Sequence, residues 1–238
     1  MTFPPYFLLN YKFIQVNGYL CRISLTIINY LKEVTMERVE VGLTQFIDFS
    51  LKQGSARVTF VRQIKSQPDY QVAFDYWRRL REEIKNVHEN NLDLSHLDEL
   101  LNEVPVKKKA HYDEAISQYK KFCKGKEIQW FDAGKSYWSF QNLSVRSTPE
   151  LGLMINGVPH LVKLYFKERS EKLDKRGSLI SLALMKESIN NTHGDGVVHS
   201  ILNIKKGRLI PLEREIDQNM RLALEADADQ LLYLWNNV

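Results

Sequence analysis

One acid and one lysine in this 238-residue chain stand at a spacing that could do chemistry. Glu150 precedes the apolar run Leu151-Gly152-Leu153-Met154-Ile155, and Lys163 lies in the run that follows Asn156-Gly157. Asn-Gly between two apolar strands predicts a two-residue type I′ hairpin, because both turn positions require positive φ. That turn sets the register: Ile155 faces Val158, Met154 faces Pro159, Leu153 faces His160, Leu151 faces Val162, and Glu150 faces Lys163. Directly opposed residues hold their Cβ atoms roughly 5 Å apart. The carboxylate and ammonium then read in two ways. They form a cross-strand ion pair, contributing about a few tenths of a kcal/mol if exposed. Alternatively they are half of a metal-dependent phosphodiesterase site, where Mg²⁺ takes oxygen ligands and a cation stabilises developing charge.

The ribbon has two expected faces. Leu151, Leu153, Ile155, Val158, Val162, Leu164 and Phe166 share one with His160 and must pack on helices, while Glu150, Gly152, Met154, Leu161, Lys163, Tyr165 and Lys167 share the other, read as a polar sheet surface. Pro149-Glu150, the hairpin and then Lys163, with a helix before the strands and a helix and strand after them, resemble the PD-(D/E)XK, or restriction-endonuclease-like, nuclease superfamily. The resemblance covers under half the chain. It implies an αβββαβ core with a mostly antiparallel sheet, Mg²⁺ or Mn²⁺ as cofactor, and DNA or RNA as partner. Carried over, Glu150 binds metal, the Val162 carbonyl adds a ligand, Lys163 positions or activates the attacking water, and Glu114 contributes from the first helix. Leu161 departs from the pattern, standing where the superfamily has an acid. Either Glu114 or another acid compensates, or the fold persists as a binding or scaffold module.

Lys167, Arg169, Lys172, Lys175 and Arg176 give a basic excess beside that site and are candidate phosphate contacts, or else a solvated loop. Lys107 to Lys109 form a second basic cluster with the same alternatives. Tyr137 and Trp138 could stack bases, although aromatic residues in alternating strands more commonly pack in a core. His193, Asp195 and His199 match no ligand spacing, and Gly and Asp near them are explained by a turn. His160 reads as a hydrogen-bonded core histidine. No P-loop, dinucleotide fingerprint, GxSxG elbow or HExxH element is present, which argues against nucleotide hydrolysis, hydride transfer and the commoner ester and peptide hydrolases.

The elements that must position these residues follow from periodicity. Helices are expected over 37–52, 69–87, 95–103, 110–124, 178–189 and 217–235, where apolar residues recur every three or four positions. Strands are expected over 57–64, 127–131, 137–140, 143–146, 151–155, 158–166 and 197–204, with another over 208–212. The fold class is therefore α+β, a helical N-terminal half followed by the nuclease-like core. Its expected divisions are an appendage or translated upstream region over 1–35, a helical subdomain over 36–106, and an α/β domain over 107–238.

Composition constrains less. A net charge of +4 tolerates a polyanionic partner without requiring one. Two distant cysteines, Cys21 and Cys123, suggest reduced thiols in a cytoplasmic protein. Lys12, Arg22 and Lys32 interrupt the apolar N-terminal stretch before membrane-spanning length, so no membrane association is expected. The function expected is a metal-dependent nuclease or a nuclease-derived nucleic-acid-binding protein. The alternative is a non-catalytic protein-interaction or scaffold protein.

Overall fold

The computed structural model describes residues 11–16, 19–24, 37–67, 75–167, 178–190, 193 and 196–238. The chain divides into two units, residues 1–39 and 40–238. In the first, β1 (Tyr11–Val16) and β2 (Tyr19–Ser24) pair antiparallel, with Val16 opposite Tyr19.

The second unit is mixed α/β. Its helices are α1 (Leu43–Leu51), α2 (Ser55–Lys65), α3 (Arg78–Glu89), α4 (His96–Glu103), α5 (Val106–Cys123), α6 (Leu179–Glu187) and α7 (Gln218–Asn237). The strands are β3 (Val39–Gly42), β4 (Ile128–Phe131), β5 (Ser136–Phe140), β6 (Leu143–Arg146), β7 (Leu151–Ile155), β8 (Val158–Tyr165), β9 (Ile189–Asn190), β10 (Val198–Asn203) and β11 (Arg208–Pro211). A five-stranded sheet runs β11-β10-β8-β7-β4, and a four-stranded one runs β3-β6-β5-β9. In the larger sheet β4, β7 and β8 form an antiparallel meander, the crossover through α6 brings β10 parallel to β8, and β11 returns antiparallel.

The hairpin has the expected turn and register. Asn156 and Gly157 both take positive φ, 49° and 81°, and every expected partner pair from Leu151–Val162 to Ile155–Val158 is found. Asn156 also ties the turn to the next strand, since its Oδ1 accepts the Glu127 N–H at 2.9 Å and its own N–H donates to the Glu127 carbonyl at 2.8 Å. The expected apolar face packs on helices except at Val158, beside the turn, which is 44% exposed. Leu151, Leu153, Ile155, Val162, Leu164 and Phe166 share one core with Leu80 and Ile84 of α3, Leu97 of α4, and Tyr112, Ile116 and Tyr119 of α5. Trp77, just before α3, is stacked between Tyr112 and Phe166, with centroids 5.3 and 4.9 Å away. Helices from the segment expected as a subdomain over 36–106 thus share a core with strands of the 107–238 segment, within one compact unit.

The other face differs from expectation. Gly152, Leu161, Lys163 and Tyr165 are buried rather than forming a polar sheet surface. The reason is a second helical layer: α6 packs on β10, β5, α1 and α7, and the Tyr165 hydroxyl reaches Asp48 of α1. A parallel pair joined by a crossover helix is ordinarily covered on both faces.

Four further elements depart from the periodic reading. Residues 57–64, expected as a strand, lie in α2, because Val61 and Ile64, three apart, form the buried stripe. The helix expected from 37 begins only at Leu43, after β3. The Gln45 Oε1 accepts the Gly42 N–H at 2.8 Å and starts the helix there. Lys107 to Lys109 lie inside the first turn of α5 rather than before it, because Pro105, without an N–H and with φ −53°, already has the torsion of a helix start. The expected helix from 69 is observed as α3 from Arg78, residues 68–74 being outside those described. Among the described residues, no helix is long and apolar enough to cross a membrane.

Candidate functional site

Glu150 and Lys163 meet as the register requires. The strand pairing of β7 stops at Leu151, but the Glu150 N–H still donates to the Val162 carbonyl at 3.1 Å. Beyond that point the edge of β8 has no β7 backbone to bond, and the Glu150 side chain takes its place. Its Oε2 accepts the Leu164 N–H at 2.8 Å, and its Oε1 accepts a hydrogen bond from the Lys163 Nζ. The Arg81 Nε of α3 approaches the same Oε1 at 4.0 Å, and Arg81 is itself paired with Asp75. The Lys163 side chain is 8% exposed and that of Glu150 17%. This is a largely buried, charge-assisted network that closes the end of a strand pair.

Each Glu150 oxygen accepts one hydrogen bond, the Val162 carbonyl accepts an N–H, and Leu161, 1% exposed, fills the position of the second acid. Among the described residues, no group of three His, Cys, Asp or Glu is arranged to hold a metal ion.

Glu114 lies elsewhere. It lines a cavity of about 420 Å³ with Asp48, Lys52, Lys167, Lys205 and His111, over aromatic surface from Phe60, Tyr76, Trp77 and Phe166. Neither Glu150 nor Lys163 lines this cavity. The expected set is therefore divided: Glu150, Val162 and Lys163 come together, whereas Glu114 joins Lys167. Arg169, Lys172, Lys175 and Arg176 lie outside the described residues, as does Asp195.

Asp48 escaped the sequence reading. It is 7% exposed, its Oδ1 accepts the Tyr165 hydroxyl at 3.1 Å, and its Oδ2 is paired with Lys167. The signal was an acid within the apolar run Phe46-Ile47-Asp48-Phe49. Such a residue needs a polar partner once buried. Two further candidates, Trp138 and His193, resolve into local roles. Trp138 is buried and stacked on Phe140 with Phe46 nearby, whereas Tyr137 is 44% exposed. His193 belongs to no group of metal-ligating side chains among the described residues; its Nε2–H donates to the Asp132 carbonyl and its ring lies edge-on to Phe131.

The histidines of the sheet are structural. His160 bonds the Ser200 Oγ across the parallel pair at 2.9 Å, and burial lowers its pKa. His199, opposite Leu161, has a buried Nδ1 with no partner among the described residues, and burial, helped by the Lys186 ammonium, lowers its pKa to about 4. Below the ordinary value of 6.5 the unfolded chain gains a proton that folded His199 does not accept until about pH 4. Stability should therefore be full above pH 6.5 and fall through that window, by up to about 1.4 kcal/mol per pH unit. Urea unfolding at pH 7, 6, 5 and 4.5 tests this. His199→Gln should have a shallower decline than wild type, with the remainder due to His88 and His160, whose pKa values burial also lowers. Equal declines would reject the assignment.

No protein-family model matches this chain, and no curated protein matches it.

Proposed function

We propose that residues 107–238 carry a restriction-endonuclease-like core whose metal chemistry has been lost, and that the protein is a nuclease-derived nucleic-acid-binding module. The element order supports the first part: helix α5, antiparallel strands β4, β7 and β8, crossover helix α6, and parallel strand β10, with β5 and β6 inserted after the first strand. Glu150 at the head of the second strand and Lys163 on the third stand where that order would put the acid and the lysine. The single observation that carries the loss of chemistry is Leu161, apolar and 1% exposed where that order would put the second acid. Nucleic-acid binding is supported by Lys52, Lys167 and Lys205 beside aromatic rings at the carboxyl ends of β8 and β10, the end where open α/β sheets place their ligands.

The expected result is no cleavage of single- or double-stranded DNA or RNA with Mg²⁺ or Mn²⁺, together with oligonucleotide binding that weakens steeply as salt rises. Divalent-dependent cleavage that disappears in Glu150→Gln would restore the catalytic assignment. A second reading, a protein-interaction role, is favoured by one feature: Ile189 and Tyr137, paired across β9 and β5, are 82% and 44% exposed. It predicts no salt-sensitive oligonucleotide binding, which the same titration reads.

A further inference from the structure

The cavity beside β8 and β10 is lined by two charged side chains that stand apart from its Asp48–Lys167 pair. Lys205 and Glu114 both line it, and among the described residues neither makes an ion pair or hydrogen bond. They differ in this from Asp48 and Lys167, which are paired with each other, Asp48 also accepting the Tyr165 hydroxyl.

Lys205 is carried on a fixed support. It sits in a 3₁₀ turn, Ile204–Lys206, where the Asn203 Oδ1 accepts the Lys206 N–H at 3.3 Å. The turn ends at Gly207, φ 56°, where a Cβ would lie 2.9 Å from the Gln118 carbonyl of α5. Glu114 is on that same helix, one turn before Gln118, so the acid and the ammonium are held on packed elements rather than on free loops.

A ligand that satisfies both must present an anionic group to Lys205 and N–H donors to Glu114, which accepts only. It must also cover the aromatic wall of Phe60 and Tyr76 with something flat. A nucleotide has all three parts: a phosphate, a base edge with amino or imino hydrogens, and a π face. The volume, about 420 Å³, admits one such unit and excludes a duplex. We infer that the cavity binds a single nucleoside monophosphate unit, free or as the phosphorylated end of a single strand. The strand-end form rests on the nucleic-acid-binding reading above; the free form does not.

Isothermal titration calorimetry on the full chain at low salt separates the cases. The titrants are the four nucleoside monophosphates, inorganic phosphate, and a single-stranded octanucleotide with and without a 5′-phosphate. Lys205→Ala should weaken monophosphate binding at least tenfold, Lys205→Arg should largely retain it, and Glu114→Gln should alter the ranking of bases while leaving inorganic phosphate unaffected. Monophosphate binding that depends on Lys205, without strand binding, supports the cavity assignment and overturns the nucleic-acid reading. A strand bound equally by wild type and Lys205→Ala leaves that reading intact and overturns the strand-end form. The absence of monophosphate binding, or inorganic phosphate binding as tightly as any monophosphate, overturns the cavity assignment.

Discussion

Glu150→Ala should destabilise the fold by about 3–5 kcal/mol, the usual loss when one partner of a buried ion pair is removed. Two groups would be stranded together, the Lys163 ammonium, whose side chain is 8% exposed, and the Leu164 N–H. The companion double variant, Glu150→Leu with Lys163→Met, should recover most of that loss, since apolar replacements of a buried pair are commonly neutral or stabilising. Chemical denaturation of the three proteins reads both numbers. A loss under about 1 kcal/mol for Glu150→Ala would mean that the pair behaves like an exposed one. The measurement is independent of any nuclease assay, so it separates a strand-closing role from a catalytic one.

Gly152→Ala should be as damaging for a different reason. Gly152 lies opposite Phe131 on one side and Leu161 on the other, in the middle of the β4–β7–β8 meander. A Cβ there would fall 2.3 Å from the Phe131 carbonyl oxygen and 2.7 Å from its ring, so a methyl group enters only if β4 moves away from β7. We expect about 3 kcal/mol or more of lost stability, at the upper end of overpacking costs. Gly157→Ala is the natural control. Its φ of 81° disfavours a side chain, but the space around it is open, and the cost should be about 1–2 kcal/mol. Thermal melts of the two variants should differ clearly, with Gly152→Ala the lower; the reverse order would contradict the close approach of β4 and β7.

How much of this was legible in the sequence depended on whether the cause was local. The hairpin was, because Asn156-Gly157 permits few turn geometries and a fixed turn forces every pairing after it. The stripe Tyr112, Ala115, Ile116, Tyr119 and Phe122 of α5 was also legible, being long and strongly periodic. Residues 57–64 were not, since a short segment with Val58, Phe60, Val61 and Ile64 fits an alternating pattern nearly as well as a helical one. Only the packing of α2 beside α1 and α7 decides between them. The burial of Lys163 was hidden for a similar reason. Hairpin register tells which residues share a face, but not that α1 and α6 will cover it. The division of the candidate site follows from this. Glu150 and Lys163 are thirteen residues apart and were found together; Asp48 and Tyr165 are 117 apart, and no spacing rule reaches that far.

The contacts between α2 and α7 have a consequence during synthesis. Arg57 pairs with Asp227 at 2.8 Å, and the Lys65 ammonium donates to the Trp235 carbonyl at 2.6 Å, across 170 residues of chain. At ribosomal speeds of about 5–20 residues per second, Lys65 is made roughly ten to thirty seconds before its partner. Throughout that interval the faces of α2 that α7 will cover stay uncovered on a growing polypeptide. The docking of α7 on α2 therefore waits until residues 218–237 have been made.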